Sequence, residues 1–521
     1  MKLLRIKYIS LIVLGVFLAQ CSDLSEDPFT SIAPDDFYKD AEDLNKALIG
    51  VYDGYQEHYG RDARGYYLKI ESLSEFGAPN RTEDSPHLYN VWSDVNNPDM
   101  TIDKWGDSYQ IINTANLVIG KGQGIQMDEE LRQQRFGEAM FLRALTYFNL
   151  LRLYGGVPIP ETYTQGLDNL EIPRKSVEET YDYIIEDLSY AAENLPLKSE
   201  YGNEEIWRAS RGAARALLGK VYLYRGSMTG EAQYFEESNR YSKMVIDSRE
   251  YALESDFRDL WKWWNANNEN GIESIFEIQL GHKDGEDNTL HTYAGINIAD
   301  ENVGAQMYHR YGPSFIAYNS YNDQDYRKSS TFLTSTILST GDTVEWLESD
   351  KGFYPGSQGW QSATPGNIKY YDRTAQSYST GYAGTNMYVL RYAEVLLNYA
   401  EAENAINGPT ADAYSKINLV RNRAKLPDLT TGLTKEQFAD SVYRERGWEF
   451  IGEGQLYYEG IRTGNITSAV KEEVAYGNEN GLYLYSPLQF APTKNFLWKI
   501  PRYDLNANST LEQNPDNENA L

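Results

Sequence analysis

The chain has one cysteine, Cys21, and five histidines in 521 residues. A single cysteine excludes a disulfide framework, a CxxC redox pair, a multi-cysteine zinc site and a cysteine nucleophile within the fold. The histidines are scattered, and none stands at ligand spacing from another. HExxH, GxSxG and phosphate-loop patterns are absent. The apolar run Ile9 to Leu18 is too short to span a bilayer as a permanent helix. Positive charge is scarce: 48 Lys and Arg face 76 Asp and Glu, a formal net charge of −28. So acidic a surface repels nucleic acid and anionic lipid, so no nucleic-acid partner is expected.

Lys2, Arg5 and Lys7 ahead of that apolar run read as a secretory leader, residues 1–20. Leu18-Ala19-Gln20-Cys21 then has the form of a bacterial lipoprotein cleavage site, with Cys21 the lipid attachment point and palmitate the expected modification. Gln20 departs from the Gly, Ala or Ser usual there. The alternative is an ordinary signal peptide with an incidental cysteine. Loss of the leader's three positive and no negative side chains takes the net charge from −28 to −31. Asp23, Glu26 and Asp27 follow in a tract, residues 21–35, too polar to order itself and expected to act as a flexible tether.

From about Asp36 to Ile246 the hydrophobic period is helical. Phe141, Ala144, Leu145, Phe148 and Leu151 mark one face of a helix over Leu131 to Tyr154, stopped by Gly155-Gly156. Ser176 and Glu179 form a capping box at the head of the next helix, which Pro196 ends. Arg211 to Tyr224 and Ala232 to Ile246 form a third pair, turning around Gly226 and Gly230. The pattern lapses near Arg249 and returns at Asn386, with Tyr392, Val395, Leu396 and Tyr399 on one helix and Ala413, Ile417, Val420 and Ala424 on its partner. Phe276, Ile278 and Leu280 alternate in one strand, Ser274 to Leu280. These are helical hairpins of tetratricopeptide character, and the fold class expected is mostly α, a short right-handed stack of helix pairs with a loop-rich subdomain holding short strands.

Several segments, in order, resemble the SusD/RagB family of outer-membrane nutrient-binding lipoproteins of Bacteroidetes. The most specific runs from Glu138-Ala139-Met140-Phe141-Leu142-Arg143-Ala144 through Tyr147-Phe148-Asn149-Leu150-Leu151-Arg152-Leu153-Tyr154-Gly155-Gly156-Val157-Pro158. Others are Ser176 to Pro196, Arg208-Ala209-Ser210-Arg211-Gly212-Ala213, Glu273 to Gln279, Arg391-Tyr392-Ala393-Glu394, Ile417 to Ala424, Trp498-Lys499-Ile500-Pro501 and Gln513-Asn514-Pro515. Together they cover nearly the whole mature chain, and the acidic tether resembles surface-export signals of the same bacteria. One departure is Gly447 in the late helix around Arg444 to Phe450, which costs about 1 kcal/mol relative to Ala if interior.

The resemblance implies tetratricopeptide-like helical hairpins, about four pairs, forming a cap on a SusC-like TonB-dependent transporter that delivers captured oligomers, usually glycans, to the barrel. It implies an outer-membrane, cell-surface location, no enzymatic activity and no cofactor. It divides the mature chain into an N-terminal helical region 36–250, a loop-rich ligand-binding insert 251–386 and C-terminal helices with a tail, 387–521. Capture of peptides or other oligomers is the alternative within the same architecture, and a surface hydrolase is the rival outside it.

The motifs do not name ligand contacts, so these follow from chemistry. Glycans present apolar ring faces and hydroxyl rims, which suit aromatic planes beside paired hydrogen-bonding groups. Asn80, Arg81, Trp92, Asp94 and Asn96 in the loop 80–99 offer that combination, before a helix over Trp105 to Ile119. Tyr308 and Tyr311 are a second candidate platform, whereas Tyr318, before the Asp325-Tyr326-Arg327 turn, reads as core. Trp360 and Arg373 are the third; the Trp261, Trp263, Trp264 cluster reads as core. The glutamates Glu394 and Glu401, and Glu445, Glu449 and Glu453, form helical stripes. A glycosidase needs two carboxyls facing each other across roughly 5–9.5 Å, which one stripe does not supply. They are expected to be solvated or paired with Arg444 and Arg446. Asp284 to Asn288 offers carboxylates for weak calcium binding, but it lacks EF-hand spacing and reads as a bare acidic turn, so no metal site is expected.

Overall fold

The computed structural model describes residues 37–59, 70–79, 102–166, 170–261, 269–281, 311–337, 339–345, 365–370, 385–466 and 496–515, with short stretches between 468 and 519. Its longer helices are α1 (Ala41–Tyr59), α2 (Ile102–Gly122), α3 (Glu129–Tyr154), α4 (Val177–Asn194), α5 (Arg211–Thr229), α6 (Ala232–Ser248), α7 (Tyr392–Asn407), α8 (Ala411–Arg423), α9 (Lys435–Phe450) and α10 (Leu456–Thr463). Consecutive helices pack as four hairpins, α1 with α2, α3 with α4, α5 with α6 and α7 with α8, and α6 packs on α7 to join the two halves of the chain. The architecture is the expected mostly helical stack.

Local chemistry sets the helix ends. Asp128 accepts from Leu131 N at 2.9 Å to open α3, and Gly155 closes it at φ 76°. Ser176 and Glu179 form the capping box expected of α4, with bonds of 3.1 and 2.9 Å. Each such cap satisfies backbone groups that a helix end leaves orphaned. Gly226 lies within α5, and the turn falls at Gly230 instead.

Two expectations about the middle of the chain need correcting. Helix does not resume at Asn386: Met387–Arg391 is a strand, paired antiparallel with Ser274–Ile278, and α7 begins at Tyr392. The strand Ser274–Ile278 stops short of Leu280 and is buried at every position rather than alternately. Helices α1 and α5 both lie against it, so neither face meets water. Its polar Glu277 is tolerated there because Asn386 Nδ2 and Asn270 N donate to its carboxylate at 2.9 and 3.0 Å.

The Glu445, Glu449, Glu453 stripe is neither solvated nor paired with Arg444. All three carboxylates are buried. Arg391 reaches Glu273 at 2.7 Å, Glu449 at 2.9 Å and Glu453 at 2.9 Å. Arg423 reaches Glu273 and Glu449 at 2.9 and 2.5 Å. Arg327 reaches Asp325, Glu445 and Glu449 at 2.8, 2.7 and 3.1 Å. Arg421 pairs with Glu445 at 3.0 Å and Lys369 with Glu453 at 2.7 Å. Five cations therefore face five carboxylates, and this charge balance is what allows the cluster to be buried. Burial alone would raise the Glu449 carboxyl, but Arg423, Arg391 and Arg327 hold it well below the usual carboxylate range. Glu401 does pair with Arg446, at 3.0 Å, and Glu394 pairs with Lys220 at 2.7 Å.

Trp261 is buried, as expected, and Tyr318 packs edge-on against Phe332 with ring centroids 5.2 Å apart. Gly447 lies inside α9 because a Cβ there would overlap the Phe76 ring. The helix accepts a poor helix former so that the turn carrying Phe76 can lie flat on it.

Glu449→Gln should cost about 3–5 kcal/mol, because it leaves five buried cations facing four carboxylates. The exposed Arg444→Ala should stay within about 0.5 kcal/mol of the parent. Urea denaturation checks both, and equal costs would remove the network from the account.

Candidate functional site

The expected ligand contacts Asn80, Arg81, Trp92, Asp94, Asn96, Tyr308, Trp360 and Arg373 lie outside the described residues, as does Cys21. The backbone of Tyr311 is described, and so are the points from which all three candidate segments leave the scaffold. Strand β1 (Gly77–Pro79) pairs antiparallel with β2 (Tyr311–Pro313), with Pro79 opposite Tyr311. Asn80 therefore follows, and Tyr308 shortly precedes, the same rung of one ladder. Strand β3 (Phe332–Leu333) pairs with β4 (Gly366–Asn367), and β4 lies beside β2. The segment holding Trp360 returns at Gly366, and the one holding Arg373 leaves from Tyr370, the end of a short helical turn over Ile368–Tyr370. The structure thus gathers the bases of all three regions on one small strand platform.

What fixes the platform is polar. Ser314 donates its N–H to Phe76 O at 2.9 Å and its hydroxyl to Glu75 O, locking β2 against the turn before β1. Glu71, in that turn, accepts the N–H groups of Gly452 and Gly454, the latter at 2.9 Å. Both glycines hold left-handed backbone, φ 82° and 69°, which points their N–H groups to one side. Tyr370 donates to Gly452 O at 2.8 Å, and Lys369 reaches Glu453 and Glu449 O at 2.7 and 3.0 Å. A cavity of about 10 Å³ bounded by Glu71, Gly77, Gly312, Asn367 and Gly452 marks where the pieces meet. The Gly452-Glu453-Gly454 turn between α9 and α10 is therefore the hub: its backbone takes Glu71, and its side chain enters the ion cluster.

Sequence reading passed over Glu71, Glu75, Asn367, Lys369 and the two glycines. The available signal was Gly452-Glu453-Gly454, two glycines flanking a carboxylate directly after a helix, a pattern that favours a positive-φ turn.

A larger cleft, about 1070 Å³, lies between α2, the stretch 158–173 and the short helix Arg502–Ala507. Two of its polar side chains serve the scaffold: Tyr109 donates to Pro158 O and Asn508 to Ile172 O, both at 2.8 Å. Among the described residues, no helix is long and apolar enough to cross a membrane, and no group of three or more His, Cys, Asp or Glu is placed to hold a metal ion.

Residues 272–516 match the family described as "SusD family", and residues 23–223 match one described as "Starch-binding associating with outer membrane". The chain belongs to the SusD/RagB family. It is 28% identical over 540 residues to SusD-like protein P2 of Formosa agariphila, covering 97% of this chain and 98% of that one. Among solved structures, a SusD homolog from Bacteroides thetaiotaomicron superposes with a TM-score of 0.78 at 22% identity, covering 93% of this chain and 98% of the other. A laminarin-binding SusD-like protein superposes with a TM-score of 0.74 at 24% identity, covering 92% and 100%. In this SusD/RagB chain, the three candidate segments are ones whose described ends meet at the platform.

Glu75 supplies a pH test of the turn. Burial pushes its carboxyl up to about 7, while Tyr443 donates to it at 2.6 Å. Its folded pKa lies above the unfolded value of 4.5, so the folded state binds more protons between pH 4.5 and 7. Its contribution to stability is present at low pH and is lost as pH rises through 7. Glu75→Gln should flatten that part of the melting-temperature profile and gain on the parent at pH 8. An unchanged slope between pH 5 and 8 would contradict the assignment.

Proposed function

We propose that this SusD/RagB chain is a surface glycan-binding lipoprotein, anchored to the outer membrane through Cys21, that delivers oligosaccharide or polysaccharide to a SusC-like TonB-dependent transporter without cleaving it. The convergence of three loop bases on one platform carries the reading. It gives Trp92, Trp360 and the Tyr308–Tyr311 pair a common origin, and adds Asn80, Arg81, Asp94, Asn96 and Arg373 for hydroxyl recognition. Stacking with a few hydrogen bonds gives modest affinity, which suits a protein that must also release its cargo. The stretch 251–386 supplies two of the three segments and is the ligand-binding insert in this scheme. The starch-binding, outer-membrane description of the N-terminal match and the laminarin-binding structural relative support a glycan ligand. Lipidation at Cys21 supplies attachment without a membrane-spanning helix, and acylation of one residue leaves the helical cap free to sit over a barrel mouth.

Incubation of the mature chain with laminarin, starch and other polysaccharides should deplete it from solution on at least one of them, with no new reducing ends. Reducing ends would establish catalysis, and binding to peptide mixtures with no glycan depletion would replace the ligand class. Trp92→Ala and Trp360→Ala should each weaken glycan affinity by roughly 1 kcal/mol, several-fold in Kd, with the fold intact. Unchanged affinity in both would move the site elsewhere.

A further inference from the structure

We infer that Glu71 is a positioning residue for ligand recognition: its carboxylate, seated on the paired N–H groups of Gly452 and Gly454, sets the placement of the β1–β2 platform from which the glycan-recognising segments leave.

The geometry is specific. Glu71 opens a tight turn in which Ser74 donates its hydroxyl to Glu71 O at 2.7 Å and its N–H to the same oxygen at 2.9 Å. Gly77, the first residue of β1, lies so close to the Glu71 backbone that a Cβ would overlap it. Wherever the Glu71 side chain is held, β1 is held with it. The two donating N–H groups belong to a turn that begins 381 residues further along the chain, between α9 and α10. Each glycine N–H meets a different carboxylate oxygen, so both donors are satisfied only by a group with two acceptor oxygens. Gly452 is further fixed by Tyr370, and Glu453 by Lys369 and Arg391. The seat is thus held from two sides, and Glu71 is the link that transfers its position to β1 and, across the ladder, to β2. Burial works to raise this carboxyl, to about 8, against the two glycine N–H groups and Lys369. The test therefore belongs above that pH.

Glu71→Ala removes the carboxylate and leaves room beside the two N–H groups for formate, which presents the same two oxygens. Glu71→Gln fills the space, offers one acceptor and turns an amide N–H₂ toward the other donor. At pH 8.5, hydrogen exchange in Glu71→Ala should rise about tenfold in peptides covering residues 77–79 and 311–313, the expected scale for a lost buried, charge-assisted bond. Exchange in α3 to α5 should not change. Added formate should restore protection in Glu71→Ala but not in Glu71→Gln, and chloride should restore it in neither. Exchange at the platform equal to that of the parent, a uniform rise through all the helices, or no response to formate would each overturn the proposal. Should Glu71→Ala not fold, Glu71→Gln carries the exchange comparison alone, with the same local rise expected and parental exchange overturning it. The role in recognition rests on the glycan reading and is measured separately, by laminarihexaose titration of the same variants. Affinity should fall about tenfold in Glu71→Ala and return with formate. A parent that does not bind laminarihexaose counts against the glycan reading with that probe, while the exchange result still decides the clamp.

Discussion

The buried cluster of Arg327, Lys369, Arg391, Arg421 and Arg423 with Glu273, Asp325, Glu445, Glu449 and Glu453 is the interaction on which the rest of the structure depends. Taking ten charges out of water is costly, and the cost is met only when every charge has its partners in place. That requirement makes the cluster a strong selector of one arrangement. Its members come from Glu273 just before the strand Ser274–Ile278, the Asp325–Arg327 turn, the Lys369 turn, the end of Met387–Arg391, the end of α8, and α9 with the turn that follows it. Six stretches distant in sequence must therefore meet at one point. Apolar packing tolerates small slips between such pieces, whereas a five-against-five array of guanidinium, ammonium and carboxylate groups does not.

The same device recurs along the helical stack. Arg446 and Arg462 share Glu401 and Glu459, and Tyr224 of α5 donates to Glu459 at 2.9 Å, tying α7, α9 and α10 to the N-terminal helices. Arg135, Arg208 and Tyr52 converge on Glu138, and Arg143 pairs with Asp187 at 2.6 Å. A helical stack stapled in this way is a rigid base. The Glu71 seat and the Ser314 bonds extend that rigidity to the feet of the three candidate segments, so their chemistry can vary while their origin stays fixed.

The sequence made the helical hairpins legible because helix period and caps are local signals. Phe141 to Leu151, the Ser176–Glu179 box and the Gly155 stop all appear in the fold where spacing put them. It misled where tertiary context overrode local pattern. Met387–Arg391 carries apolar residues that continue into α7, and only its pairing with Ser274–Ile278 makes it a strand. The Glu445, Glu449, Glu453 stripe has the one-turn spacing of a solvated helix face. Its partners Arg327, Arg391 and Arg423 lie tens to more than a hundred residues away, so no window of sequence could assign them. Gly447 looked like a defect until Phe76 was found lying on it. For the site, residue chemistry picked out three regions separately, and the β1–β2 and β3–β4 ladders supplied the reason to regard them as one.

The central claim is that those three regions form a single recognition surface because their bases are fixed together. Tryptophan oxidation footprinting during titration with a bound polysaccharide tests it most directly. The account predicts that Trp92 and Trp360 become protected together, along one binding curve, with Trp105 in the cleft beside α2 unaffected. Protection of only one of the pair, or protection centred on the cleft beside α2, would contradict it.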